Sequence, residues 1–463
     1  MKEYDFVVVG GGSAGFAGAR TAANLGLKTA VIEGAAELGG LCILRGCMPS
    51  KALLESAGRY RAIRNAARFG LSAGSPSFDP AAIIARKRTL IADFAGYRGG
   101  QLLNGPFDLL RGNAEFTGPH SLVVQPATGG AFSLRAKSFL IATGSAQSAP
   151  PVPGLSGAAP LSSDDLLDRE SIPDSLIVLG GGPVALEMAS YCRAFGASVT
   201  IIQRSPQILR GSDPDCAEAL ADGLRHDGIE VVTGTKLLRV EACGGTKRVV
   251  FLKDDQETTV SGAEILNALG RHAVIPGGLT LRQHDGKIAA GLSQQTSLPH
   301  IFAAGDVCSP LEVVHVAIQQ GEVAARNASK LLTSRQEPME MMDYRLKLFA
   351  VFTEPGFASV GASEEELSTG GIPFRSAKYP FNDHGKSLVM GESCGFVKLI
   401  AHASSGEILG ASIVGPHAAE LIHEIVVAMR FHATAADLAS IPHYHPTLSE
   451  IWTYPAEELS IKK

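Results

Sequence analysis

"DFVVVGGGSAGFAGARTAANLGLKTAVIE", residues 5–33, reads as one complete βαβ unit. Residues 5–10 are a β-branched run without polar alternation, the pattern of a parallel strand covered on both faces. Gly10, Gly12 and Gly15 then complete G-x-G-x-x-G, with Ser13 and Ala14 inside the loop, ahead of a helical stretch and a second strand ending in Glu33. Each part has a chemical use. The glycines permit a tight turn and close approach of phosphate, the helix N-terminus faces a pyrophosphate, and the terminal acid accepts hydrogen bonds from a ribose diol.

The unit recurs as "SLIVLGGGPVALEMASYCRAFGASVTIIQRS", residues 175–205. Gly180 to Gln203 is the same distance as Gly10 to Glu33, and Gly182 and Ala185 stand where Gly12 and Gly15 did. Two dinucleotide sites in one chain imply two redox cofactors, one handing hydride to the other. The second copy lacks the acid. Gln203 takes its place and Arg204 follows, so a cation is available for a 2′-phosphate, which favours NADP over NAD. The plainer reading stays open, with Arg204 a solvated loop cation and Gln203 still holding a diol.

Of 463 residues, 45% are hydrophobic and 19% charged, with a net charge of −5, which suits a globular chain of roughly two to four domains. There is no basic footprint, so neither nucleic acid nor an anionic membrane surface is expected as a partner. No run approaches the roughly 20 apolar residues of a membrane helix. Glu3, Asp5 and the central glycines argue against an export signal, so the expected setting is cytoplasmic. In that setting "GGLCILRGCMPSK", residues 39–51, draws attention to Cys42 and Cys47 among only seven cysteines. Such a pair is redox-active or metal-binding before it is a structural staple. A zinc site needs about four ligands, and no second Cys/His pair stands at metal spacing, so no metal is expected. Cys192, Cys216, Cys243, Cys308 and Cys394 are scattered and read as structural.

Together these segments resemble the class I pyridine nucleotide-disulfide oxidoreductases, and the resemblance spans essentially the whole chain. "GGLCILRGCMPSK" is similar to the family's redox-disulfide stretch. "FLIATGS" (139–145, with Thr143 and Gly144) and "IFAAGDV" (301–307, with Asp306) look like two further FAD-domain segments. "VFTEPGFASVG" (351–361) and "HYHPTLSE" (443–450) resemble a C-terminal dimerisation domain. The resemblance implies an α/β protein with two Rossmann-like domains, for FAD and NAD(P), plus a C-terminal α+β dimerisation domain. The expected boundaries are 1–148 and 273–340 for a discontinuous FAD domain, 149–272 for the NAD(P) domain and 341–463 for the interface domain. A homodimer whose active site mixes two subunits is implied as well.

The resemblance makes Cys42 and Cys47 a redox disulfide, with Cys47 nearest the flavin and Cys42 the interchange thiol. A helix N-terminus would stabilise a thiolate, the competent nucleophile. Lys51 and Glu187 match a pair that the family places near flavin N5, where a fixed cation stabilises negative charge. By the same resemblance Gly40 and Gly270 line cofactor sites, Asp306 bonds the ribityl chain, and a helix from His315 points its dipole at the flavin. As a bare sequence feature that helix reads equally well as structural. In "HYHPTLSE", Pro446 suits a first helical turn, which would hold His445 at a helix entrance. Glu450 would orient its ring, and by resemblance His445 exchanges a proton with Cys42. His443 is the less defined of the two histidines.

Departures bear on substrate. Leu41 and "ILR" replace the family's usual residues, placing Arg45 inside the disulfide loop, where it either tunes a thiol or meets an anionic substrate, or is simply solvated. Trp452, Tyr444 and Tyr454 line the substrate mouth on one reading and pack at the dimer seam on the other. The chain ends "ELSIKK" without the cysteine pair of mercuric reductases, and its leading histidine in H-x-H-P-T is mostly absent from glutathione reductases. The dihydrolipoamide dehydrogenase branch fits best, which implies a dithiol/disulfide substrate that a lipoyl-carrying protein could present. Two other readings stand beside it. One is an NADPH-dependent reductase of another low-molecular-weight disulfide or a metal ion; the other is a non-catalytic flavoprotein scaffold or sensor.

Overall fold

The strands of the first βαβ unit, Lys2–Val9 and Thr29–Glu33, pair in parallel from Phe6 against Thr29 to Val9 against Ile32, with the helix Ser13–Asn24 between them. The computed structural model describes residues 1–308, 310–333 and 337–460, with Cys243 described in its main chain only. Successive residues of the first strand point to opposite faces. Val7 and Val9 pack with Phe116, Leu122, Phe139 and Ile301, whereas Phe6 and Val8 pack with Ala14, Ala19, Ala324 and Ala328. Both faces are covered, which explains the unbroken apolar run.

The chain divides into two compact units, the first formed by residues 1–49, 85–149 and 270–343. Its seven-stranded sheet runs in the order Asp108–Arg111, Thr29–Glu33, Lys2–Val9, Phe132–Ile141, Ser121–Gln125, Asn113–Gly118. The long strand Phe132–Ile141 forks on its far edge: its start pairs antiparallel with Ser121–Gln125 and its end parallel with Ile301–Ala303. That junction brings residues 139–145 and 301–307 beside the first glycine loop. The helix Val314–Leu332 lies on Ser13–Asn24 at very close range. A Cβ on Gly321 would run into the Ala14 carbonyl, and one on Gly18 would come within 3.1 Å of the Gly321 carbonyl.

The second unit comprises residues 50–84, 150–269 and 344–463. Its four-stranded parallel sheet has the order Ile229–Val232, Ser198–Ile202, Ser175–Leu179, Glu264–Asn267. The helix Pro183–Ala194 follows the second glycine loop with Pro183 at its first position, where a missing N–H costs nothing. A five-stranded antiparallel sheet, ordered Leu348–Val351, Gly356–Gly361, Ile408–Gly415, Phe396–His402, Phe374–Pro380, carries the helix Ala418–Arg430. Ile422, Ile425 and Met429 of that helix meet Val397, Leu399 and Ile413 of the sheet in one core, together with Trp452. The α/β and α+β parts expected from the sequence are both present.

Candidate active site

The first glycine loop has the close backbone approaches that a dinucleotide site needs. Gly10 has φ +103°, and a Cβ there would strike the Ala142 carbonyl; a Cβ on Gly15 would strike the Gly10 carbonyl. Gly12, which caps the helix Ser13–Asn24, has open space where its side chain would be, and no side chain caps the first helical N–H groups. Glu33 is held beside the loop, its two oxygens accepting from Gly11 N–H at 2.8 Å and Ala35 N–H at 2.7 Å. Gly40 reaches the same loop, since a Cβ on it would lie 2.8 Å from Gly12 Cα. Asp306 accepts from Ser145 Oγ at 2.7 Å, and Arg271 fixes Ser145 through its hydroxyl and carbonyl oxygens. Thr143 Oγ1 donates to the Val274 carbonyl, Gly144 and Gly270 both have positive φ, and His315 sits in the first turn of Val314–Leu332. A glycine cradle, an uncapped helix end and a placed carboxylate fit FAD.

Cys42 and Cys47 straddle a helix break. Cys42 lies within the short helix Gly40–Arg45, and Cys47 opens the helix Cys47–Arg64. Gly46 permits the break: a Cβ on it would lie 3.1 Å from Cys42 Cα. Both cysteines are half-buried, as is Cys308, whose thiol is nonetheless pushed up to about 12; Cys192 and Cys216 are fully buried, and burial pushes their thiols up to about 12 as well. Those three stay protonated and inert near neutral pH. Cys394 is exposed, and the side chain of Cys243 lies outside the described residues. Arg45 makes an exposed ion pair with Glu37 at 2.9 Å. Arg98, which the sequence reading did not single out, sits 4.1 Å over the Phe16 ring.

In the second unit the helix that opened at Cys47 brings Lys51 to Glu187, with Lys51 Nζ 2.8 Å from both carboxylate oxygens. Glu187 is buried and also accepts from Phe352 N–H at 3.2 Å, while the Phe352 ring lies 4.5 Å from Lys51 Nζ. Sequence reasoning found the ion pair and missed Phe352. The second glycine loop repeats the first, since Gly180 has φ +117° and a Cβ on it would strike the Ala268 carbonyl. Gly182 caps the helix Pro183–Ala194 and Ala185 is buried within it. The Gln203 carbonyl oxygen of the side chain accepts from Arg204 N–H at 3.2 Å, and Arg204 itself is exposed.

His445 Nδ1 lies 3.0 Å from Glu450 Oε2; the imidazole is exposed and the carboxylate buried. The expected helix entrance at Pro446 is not found. The His445–Pro446 peptide is cis, the chain turns there, and the first helical turn is the 3-10 turn Ser449–Trp452, which carries Glu450. His443 is engaged elsewhere, by Glu424 at 2.6 Å and the Ile441 carbonyl at 2.9 Å. Trp452 neither lines a mouth nor lies at a surface: it is fully buried and donates from Nε1 to the Leu421 carbonyl at 3.2 Å. Tyr454 stacks on Tyr379 at 3.8 Å, and Tyr444 is exposed. A further residue missed from sequence, His384, faces the other oxygen of Glu450.

The pattern of the pyridine nucleotide-disulphide oxidoreductases matches residues 4–321, and that of their dimerisation domain matches residues 349–456. This chain belongs to that family. It is similar to the dihydrolipoyl dehydrogenase of Bacillus subtilis (strain 168), 35% identical over 97% of this chain and 96% of the relative. The dihydrolipoyl dehydrogenase of Thermus scotoductus is also 35% identical, over 99% of this chain and 98% of the relative. Among solved structures, LpdA from Mycobacterium tuberculosis has a TM-score of 0.86 at 26% identity, covering 100% of both chains. The HOCl-induced flavoprotein disulfide reductase RclA from Escherichia coli, solved as a Cu(II) complex, has a TM-score of 0.85 at 25% identity, covering 99% of this chain and 100% of that one.

As a pyridine nucleotide-disulphide oxidoreductase the protein is a flavin-dependent, nicotinamide-linked dithiol–disulfide enzyme, and its dimerisation domain supports a homodimer. Among the described residues no helix is long and apolar enough to cross a membrane. The cluster Asp213, Asp215 and Glu364 has the spacing of a cation site, but the Lys398 ammonium sits among its carboxylates, 2.5 Å from Asp213 and 2.8 Å from Asp215.

Proposed function

We propose that the protein oxidises a dihydrolipoamide-type dithiol, passing two electrons through a Cys42–Cys47 disulfide and FAD to a nicotinamide. The observation that carries this reading is the Cys42/Cys47 pair at the head of the helix that also bears Lys51 against Glu187, in a chain 35% identical to dihydrolipoyl dehydrogenases over nearly its full length. Bound FAD supplies a two-electron carrier that exchanges with both a thiol pair and a nicotinamide. The residues of the chain do the rest. A substrate thiolate attacks Cys42 Sγ, the Cys42–Cys47 bond breaks, and Cys47 leaves as a thiolate. His445, acting across the dimer seam and oriented by Glu450, removes the proton of the second substrate thiol. That sulfur attacks the substrate sulfur of the mixed disulfide, releasing Cys42, which takes the proton from His445. The substrate leaves as a disulfide, two electrons poorer, and the cysteine pair is reduced. Lys51 sets a fixed positive charge where reduction adds a negative one.

The proposal keeps the FAD domain at 1–148 and 273–340, the NAD(P) domain at 149–272 and the interface domain at 341–463. The breaks at 149/150, 269/270 and 343/344 and the dimerisation-domain match from 349 support three of these limits, while residues 50–84 group with the second unit. A thiol pair in this role suits a reducing compartment, so the proposed location is the cytoplasm. A lipoyl group carried on a partner protein is the proposed substrate. One alternative has an observation behind it: Gln203 and Arg204 favour NADP(H), and with NADPH as the electron donor the same site would instead reduce another small disulfide. Anaerobic titration of the yellow protein with dihydrolipoamide, NADH and NADPH in turn separates the two, read by the long-wavelength thiolate–flavin absorbance. Reduction by dihydrolipoamide followed by reoxidation by a nicotinamide is the expected result. Reduction by NADPH alone would replace the proposal with the alternative.

A further inference from the structure

Glu450 serves two imidazoles. Its Oε2 lies 3.0 Å from His445 Nδ1, and its Oε1 lies 3.3 Å from Nε2 of His384, which is fully buried. His384 follows the turn Phe381–Asp383 and precedes the helix Gly385–Met390, with its Nδ1 2.8 Å from Ser387 Oγ. Burial pushes the His384 pKa down against the pull of Glu450, so the ring is neutral at working pH. Donation from the Ser387 hydroxyl to Nδ1 would leave the single ring proton on Nε2, facing the carboxylate. Nε2 has no hydrogen bond of good geometry, so its approach to Glu450 is a dipole set against a charge rather than a strong bond.

The other groups around His384 are already engaged. The Tyr454 ring stands edge-on at 6.3 Å and stacks on Tyr379, whose hydroxyl turns to Asp383 at 3.1 Å. The charge of His445 reaches His384 as well and opposes its protonation. With one oxygen facing each ring, the Glu450 carboxylate is confined on both sides.

We propose that His384 is a positioning residue, fixing the Glu450 carboxylate so that Glu450 in turn fixes the orientation and basicity of His445. The inference rests on His445 being the acid–base group of the proposed reaction. Without the neutral donor the carboxylate is free to turn, and the part of its charge that His384 offset acts on His445 alone. The imidazolium form of His445 is then favoured, and the acid limb of the pH profile moves up.

Three variants test this. His384→Leu is expected to lower kcat for dihydrolipoamide oxidation roughly tenfold, with KM little changed, and to move the acid limb to higher pH. His384→Gln restores an N–H near the Nε2 position without a titrating ring, and is expected to keep the wild-type pH profile. His445→Gln is the control for the underlying reading. If it retains full turnover, the acid–base assignment of His445 fails and takes this proposal with it. If it abolishes turnover while His384→Leu keeps the wild-type kcat and profile, this proposal alone fails; it also fails if His384→Gln is as impaired as His384→Leu. Flavin absorbance and dimer mass monitor folding. Should the leucine variant lose its flavin, the glutamine variant decides, with a tenfold loss or a shifted profile counting against the proposal.

Discussion

Lys51 Nζ stands 2.8 Å from each carboxylate oxygen of Glu187, joining the helix that begins at Cys47 to the helix that follows the second glycine loop. The two partners differ in exposure. The Lys51 side chain is 32% exposed and that of Glu187 only 5%. Losing the lysine therefore strands a buried anion, whereas losing the charge of the glutamate leaves a cation that water can reach.

The first prediction follows from that asymmetry. Lys51→Ala should destabilise the protein more than Glu187→Gln, by about 1–3 kcal/mol. Both should slow flavin reduction, and Lys51→Ala should also lower the flavin reduction potential, because a cation near the flavin stabilises added negative charge. Urea melts and a dye-coupled potential titration measure the two effects. Equal melts and an unchanged potential would remove Lys51 from its proposed role.

Thiol chemistry gives the second. After reduction, Cys42 and Cys47 should react with iodoacetamide at pH 7.5 far faster than Cys192 and Cys216, whose thiols burial holds up at about 12. Mapping the alkylated peptides over time checks this. Fast labelling at Cys192 or Cys216 would mean that those sites are open in solution.

The glycine loops, the cysteine pair and H-P-T-x-x-E were legible because each packs its chemistry into a short run with fixed spacing. What stayed hidden depends on distant segments meeting. Nothing in "FNDHGK" marks His384 as the neighbour of Glu450, since the contact joins residues 66 apart across the fold of the second unit. Gly18 and Gly321 are ordinary helical glycines until the two helices touch. A lone tryptophan carries no periodic signal of depth, which leaves Trp452 between the substrate mouth and the dimer seam; its N–H instead finds the Leu421 carbonyl inside the core. Pro446 is compatible with a helix start by type, but the first helical turn comes only at Ser449–Trp452.

Coenzyme choice is the third prediction. Arg204 is exposed, with its N–H donating to the Gln203 side chain, and no carboxylate stands at position 203 to repel a 2′-phosphate. The wild type should show a higher kcat/KM with NADPH than with NADH, and Arg204→Ala should cut the NADPH value roughly tenfold, in line with loss of a charge-assisted phosphate contact, while sparing NADH. Clear NADH preference in the wild type would show that Gln203 holds the diol and that Arg204 is only a solvated cation.

The last prediction concerns acid stability. Lys398 is completely buried in the second unit, with its ammonium 2.5 Å from Asp213, 2.8 Å from Asp215 and 3.4 Å from Glu364. Burial pushes the Asp215 carboxyl up, but Lys378 and Lys398 outweigh that and hold it at about 2. Its unfolded value is the ordinary 3.8, so the unfolded chain takes up this proton first as pH falls. The stabilisation, about 2 kcal/mol, is complete above roughly pH 5, declines as pH falls through the unfolded value, and is gone below about pH 2. Asp215→Asn should flatten the pH dependence of the urea midpoint in that window. Lys398→Met should cost about 3–5 kcal/mol at neutral pH by stranding Asp213 and Asp215, and pairing it with Asp213→Asn should recover part of that loss. Identical pH slopes for wild type and Asp215→Asn, or a Lys398→Met protein as stable as wild type, would show that this buried cluster does not hold the second unit together.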